Sequence, residues 1–508
     1  MHTTRFAIGR GVASITFGVV AFFAVPAAPR AQSPVVAAPK AAAPKKTVRK
    51  PTWAAPVGEA QLGEALSSIL DRSVRSGSWG VLVVSLSRGD TLFGYNPDSA
   101  LLPASTMKVF TSAMALDYLG PDHQFQTQVF REGDVDSAGA ITGDLVLRGA
   151  GDPSLGVPSG ADPMHELAKR VAAAGITRVD GAIVGDGTAF DGRHIPDGWL
   201  DRFLGAKYAA RVSALSYNEN IVRVVVRVVN GRAQVSFAPA VSGLPVSVAV
   251  SVKADSRSGA IAVRQDSATG AFRVSGWIGG LSPARGYMLM IENPEMFAAA
   301  AFRSALIAEG VKVTGPVRSR QVAPGAARVA ELPSRTLSDL ITQMNGESNN
   351  HFAELLFRNV AASTGTVGSA DSGNALLHTF LSSRVGTAVG NLNFADGSGL
   401  STLDRVTPRS LVSVLDYSSK APWASVFQNS LPVAGQTETL RARMRNAPAQ
   451  GRLRAKTGST GDVRSLGGYV TTASGEELVF AFIYNGGELD RAKATIDAMG
   501  STLASFAR

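Results

Sequence analysis

The sequence predicts an α/β (α+β) fold in which one domain is interrupted by a large β-rich insertion. Residues 57–122 and 331–508 each mix helical and strand periodicity, whereas 123–330 is dominated by strand-like runs between Gly-rich turns. Two like ends around an unlike middle is the order that an insertion into one domain produces. The 508 residues, 45% of them hydrophobic, hold enough apolar material for several cores, so a disordered or fibrous chain is excluded.

Residues 1–31 are expected to be a signal peptide. Arg5 and Arg10 precede an apolar run over 11–25, and Pro26-Ala27-Ala28-Pro29-Arg30-Ala31 supplies small residues at its exit. The run falls short of the about 20 residues that a bilayer-spanning helix needs. No other long apolar run follows, so an exported protein of the periplasm or cell envelope, with no transmembrane span in its mature form, is expected. Residues 32–56, rich in Pro, Ala and Lys, read as an extended linker.

From there Leu62–Leu70 has helical spacing, and Trp79–Leu86 and Thr91–Tyr95 read as a hairpin around Ser87-Arg88-Gly89-Asp90. Pro103-Ala104-Ser105 leads into a helix over Thr106–Leu119. In the middle, strands are expected at Asp144–Arg148, Ile221–Val229, Val246–Val252 and Met288–Ile291, with helices near 163–174 and 296–309. Helical signals return at Leu337–Met344 and Phe352–Val360, on either side of Asn345-Gly346-Glu347-Ser348-Asn349. Strands at Leu466–Thr472 and Glu477–Asn485 and a helix from Leu489 to Phe506 close the chain.

Charge and composition exclude several functions. The net charge is +10, but residues 1–50 hold eight Lys/Arg and no acid, leaving 42 bases against 40 acids in the rest. The folded part is nearly neutral, and no nucleic-acid partner is expected. With no Cys, there is no thiol nucleophile, disulfide or cysteine zinc site. The six histidines show no metal-ligand spacing, and no GxSxG, P-loop, HExxH or dinucleotide fingerprint occurs. Neither a metal nor an organic cofactor is expected.

Three short motifs remain. Ser105-Thr106-Met107-Lys108 places a lysine three residues after a serine, on the same helix face, as a nucleophile needs its base. Of the twelve lysines, only Lys108 has a serine at that offset. Its amine must be depressed by burial or cationic neighbours, because an ordinary lysine near pKa 10.4 is a poor base at neutral pH. Lys456-Thr457-Gly458 offers a cation and a hydroxyl for a carboxylate, and a glycine for close approach, although an ordinary turn has the same spelling. Ser348-Asn349-Asn350 lies between two helices, where a serine also serves as an N-cap.

In that order the motifs resemble the set of penicillin-binding proteins and related β-lactamases. From residue 57 to the end the sequence is similar to the low-molecular-mass class C penicillin-binding proteins, the D-alanyl-D-alanine carboxypeptidase/endopeptidase family. Gly143-Asp144-Leu145-Val146-Leu147, Ser213-Ala214-Leu215-Ser216-Tyr217-Asn218-Glu219-Asn220 and Asp396-Gly397-Ser398-Gly399-Leu400-Ser401 resemble it too. The resemblance implies a penicillin-recognising catalytic domain, an antiparallel sheet flanked by helices, with an insertion of two small domains.

It also implies roles. Ser105 attacks, Lys108 takes its proton, and the amides of Ser105 and Ser459 form an oxyanion hole. Ser348 relays a proton, Asn350 holds Lys108 and the substrate amide, and Lys456, Thr457 and Gly458 line the place of the terminal carboxylate. Peptidoglycan stem peptides are the implied partners, and β-lactams the implied covalent inhibitors. One position departs from the family: the arginine usual after Asp-Gly-Ser-Gly-Leu-Ser is Thr402, with Arg405 three residues on. Arg405 is therefore the candidate for the stem side chain's charged end, and Asp201, in the Gly198-Trp199-Leu200-Asp201 loop, is the candidate for the stem's free amine, although an aspartate there also suits the cap of a turn. Two other readings stand beside this one: an SxxK esterase or β-lactamase-like hydrolase, and a non-catalytic wall-binding scaffold.

Overall fold

The computed structural model describes residues 52–73, 76–156 and 161–508. The expected signal peptide and nearly all of the linker lie outside the described residues.

A five-stranded antiparallel sheet forms the centre, in the order Leu453–Ser459, Val463–Thr471, Glu477–Asn485, Ser78–Ser85, Thr91–Tyr95. Strands from both ends of the chain thus lie side by side. The Glu477–Asn485 strand is almost continuously apolar because both of its faces are covered. Its alternate residues divide between two cores: Leu478, Phe480, Phe482 and Tyr484 face one, and Val479, Ala481 and Ile483 the other.

The first core is closed by the Glu59–Ser73 and Leu489–Ser505 helices. Leu62, Leu66, Ile69 and Leu70 recur at helical spacing along one stripe, which supplies the apolar face. The second core belongs to a helical lobe around Met107–Leu119, whose first ten residues are all buried. A helix buried all round needs neighbours on every side. Leu337–Glu347, Asn350–Ser363, Ala370–Phe380 and Pro408–Lys420 contribute to that surrounding core.

The middle of the chain is β-rich, as its composition predicts. One sheet runs Val317–Ser319, Ile183–Asp186, Leu145–Arg148, Gln126–Arg131, Ala327–Pro333, against the Pro163–Ala173 and Pro294–Ala308 helices. Two three-stranded sheets follow, one centred on Ile221–Val229 and one on Phe272–Gly279. Val222, Val224, Phe272 and Ile278 share a continuous hydrophobic cluster with Leu147, Ile183 and Phe297. Among the described residues, no helix is long and apolar enough to cross a membrane.

Candidate active site

Ser105 stands in a single 3-10 turn, Ala104–Thr106, that runs directly into the Met107–Leu119 helix. Ala104 has a left-handed φ of +48°, so the chain arrives sharply and leaves Ser105 partly exposed on the helix start. One turn later, Lys108 is fully buried. Its Nζ donates to Ser105 Oγ at 3.1 Å, to Asn350 Oδ1 at 2.6 Å and to the Ser398 carbonyl at 2.7 Å. Three acceptors match the three hydrogens of an ammonium. Burial pulls the Lys108 amine down to about 8, against the opposing pull of Asp396, Glu354 and Asp404. The strict requirement placed on this lysine by its sequence position is therefore met mainly by desolvation.

The second motif closes on the same place. Ser348 ends the Leu337–Glu347 helix in a left-handed conformation, φ +59°, and Asn349 caps the next helix by accepting from the Phe352 amide at 3.2 Å. The cap expected of Ser348 thus falls to its neighbour, which leaves the serine hydroxyl for another partner. Lys456 Nζ donates to Ser348 Oγ at 2.9 Å and to the Thr457 carbonyl at 3.0 Å. Lys456 is fully buried, and desolvation, then the charge of Lys108, hold its amine well below the ordinary lysine range. Asn350 begins the Asn350–Ser363 helix and carries Lys108 on its oxygen.

Lys456-Thr457-Gly458 is part of the Leu453–Ser459 strand at the sheet's edge, paired in register with Val463–Thr471. It is therefore strand and not turn. Gly458 permits the edge to lie against the serine turn: a Cβ there would overlap Ser465 Oγ and stand 2.7 Å from the Pro103 carbonyl. Gly399 does the same from the opposite side, at φ +84°, where a Cβ would overlap the Ala104 carbonyl.

These groups open into a cleft of about 380 Å³ lined by Ser105, Ser348, Asn350, Gly399 and Ser459. Phe203 and Tyr208 of the insertion form one wall, ring against ring at 6.0 Å. Thr457 Oγ1 donates to Thr439 Oγ1 at 3.2 Å, and Ser459 ends the strand at the cleft. All three motifs thus meet.

The two outlying candidates are placed differently. Asp201 is exposed at the start of the Asp201–Phe203 turn, two residues before the wall and outside the cleft lining. Arg405 folds back on its own loop, donating to the carbonyls of Thr402 at 3.0 Å and Asp404 at 2.7 Å. Thr402 is taken up by the insertion, its Oγ1 donating to the Gly198 carbonyl at 3.1 Å.

Sequence reasoning missed a buried carboxyl group cluster behind Lys108. Glu354, Asp396 and Asp404 are all fully buried. Burial, then the charge of Asp396, pushes Glu354 up to about 8, and the same two causes push Asp404 well above the carboxylate range. Glu354 lies four residues after Asn350, on the same helix face, and accepts from the Gly397 amide at 3.0 Å. That offset and the apolar helix around it were the available signals.

The chain matches the model of the D-Ala-D-Ala carboxypeptidase 3 (S13) family over residues 62–506. It is 32% identical over 458 residues to the D-alanyl-D-alanine carboxypeptidase of Actinomadura sp. (strain R39), covering 86% of this chain and 83% of that one. To the D-alanyl-D-alanine carboxypeptidase DacB of Haemophilus influenzae it is 26% identical over 426 residues, 83% of this chain and 88% of the relative. Its fold is similar to the crystal structure of penicillin binding protein 4 from Haemophilus influenzae, with a TM-score of 0.71 and 25% identity over 85% of this chain and 98% of that one. A structure of that protein complexed with a β-lactam gives a TM-score of 0.67 at the same identity, over 85% of this chain and 97% of that one.

Proposed function

The chain belongs to the D-Ala-D-Ala carboxypeptidase 3 (S13) family, and from that premise we propose that it is an exported serine carboxypeptidase and endopeptidase. It acts on peptidoglycan stem peptides and their cross-links through an acyl-enzyme on Ser105. The observation that carries this reading is the contact of Ser105 Oγ with the buried Lys108 amine, beside a cleft lined by Ser105, Ser348, Asn350 and Ser459 and with Lys456 on Ser348 behind it.

In the neutral form, Lys108 Nζ takes the proton of Ser105 as its Oγ attacks the carbonyl between two D-alanines. The amides of Ser105 and Ser459 receive the oxyanion. Breaking the C–N bond releases D-alanine, or the amine of a second stem, which takes up the proton that Lys108 accepted, delivered by way of Ser348, so that Lys108 is neutral again. Lys456 and Thr457 take the terminal carboxylate. Water, deprotonated by Lys108, then hydrolyses the ester and restores Ser105. A β-lactam acylates the same oxygen. The export reading rests on the basic, apolar and small-residue order of the chain's start.

The test is incubation of the mature protein with a pentapeptide stem and with cross-linked muropeptides. D-alanine release from the first and monomers from the second are expected. If neither appears, the proposal fails.

A further inference from the structure

The insertion does more than wall the cleft. Trp199 donates its indole N–H to Asp396 Oδ2 at 2.7 Å, although the two residues are far apart in the chain. The Asp396 side chain accepts in each of its other hydrogen bonds as well. Its Oδ1 receives the amides of Ser398 at 2.9 Å and Gly399 at 2.6 Å. Its Oδ2 receives Ser398 Oγ at 3.0 Å and the amides of Leu400 at 3.1 Å and Ser401 at 2.8 Å. Six donors around a fully buried side chain define a carboxylate whose charge is spread over a folded loop.

That loop ends its work on the candidate base: the Ser398 carbonyl it turns inward accepts from Lys108 Nζ. Asp396 also heads the groups that favour the charged form of Lys108, and Lys108 in turn bears on Lys456 at the edge strand. Arg358 reaches the same cluster through Glu354. Of the six donors to Asp396, five belong to its own loop. Trp199 is the one brought by the insertion.

We propose that Trp199 is a positioning residue that sets the protonation of Lys108 by way of Asp396. Its N–H neutralises part of the carboxylate charge facing the amine, and so favours the uncharged lysine that can take a proton from Ser105. This rests on the assignment of Ser105 and Lys108 as nucleophile and base.

The experiment is the pH dependence of Ser105 acylation by a chromogenic cephalosporin, measured as the burst rate of the acylating fraction, in wild type, W199F and S401A. Without the indole N–H, Asp396 holds the Lys108 proton more strongly, so the rising limb of W199F moves to higher pH by about one unit. The rate then falls roughly tenfold at neutral pH and recovers above the limb. S401A cuts the adjacent tie, Ser401 Oγ to the Asp197 carbonyl at 2.7 Å, but removes no donor to Asp396. Its limb stays where wild type's is. An unshifted W199F limb, an equal loss at every pH, or the same shift in S401A would overturn the inference. Absence of any wild-type burst would instead sink the underlying assignment.

A second measurement needs no variant. With 15N-labelled tryptophan, the Trp199 indole resonance of wild type is expected to titrate with the midpoint of the acylation limb. A resonance that does not move across that range contradicts the proposal.

Discussion

At the scale of single residues, the two buried amines and the carboxyl groups behind them set the pH behaviour. Lys108 is drawn down to about 8 and is useful as a base only when neutral. The acylation rate is therefore expected to fall about tenfold per pH unit below a limb near 8 and to level off above it, as stopped-flow measurement would show. Glu354 is shifted the other way, from 4.5 to about 8, so the folded chain binds a proton that the unfolded chain has lost. Its contribution is full below pH 4.5 and is lost as the pH rises toward 8. Asp404, also raised, adds to the same slope. E354Q has no such proton, and its melting temperature is expected to decline less than wild type's between pH 5 and 8; an equal decline would count against the buried acid.

At the scale of elements, the site depends on how closely three backbones approach. G458A would push a methyl into Ser465 Oγ and the Pro103 carbonyl, which separates the edge strand from the serine turn. A displacement of this kind is expected to cost about 100-fold in acylation while the fold survives, as circular dichroism and burst kinetics together would show. Retained acylation would mean that the edge tolerates a wider gap.

Hydrophobic periodicity made most elements legible. The helices at Leu62–Leu70 and Leu337–Met344 and the Glu477–Asn485 strand were readable because their apolar residues mark one face or two. The Leu453–Ser459 strand was not, since Lys-Thr-Gly-Ser-Thr-Gly has the local chemistry of a turn and becomes strand only through its pairing with Val463–Thr471. The Pro408–Lys420 helix went unread despite its signals, Thr407 as cap and Pro408 in the first turn. The three short motifs of the candidate site were visible because each is local in sequence. The Glu354, Asp396, Asp404 and Trp199 cluster was not: the offset of Glu354 from Asn350 is its one local signal, and tertiary packing brings the other three residues to it.

At the scale of the whole molecule, the insertion is bound to the helical lobe through polar contacts as well as through the cleft. Arg358, 1% exposed, donates to Asp191 at 2.7 Å, and the Tyr208 carbonyl accepts from Asn350 Nδ2 at 2.9 Å. R358M leaves Asp191 with Arg193 alone and is expected to cost about 1–2 kcal/mol, read from urea denaturation. A cost near zero would show that the contact is incidental.

The central claim is that Ser105, activated by Lys108, becomes acylated. Intact-mass spectrometry of the mature protein after exposure to a penicillin, beside S105A, tests it most directly. A mass gain of one penicillin in the wild type and none in S105A is predicted. An adduct that persists in S105A, or a wild type that neither gains mass nor turns the drug over, would contradict it.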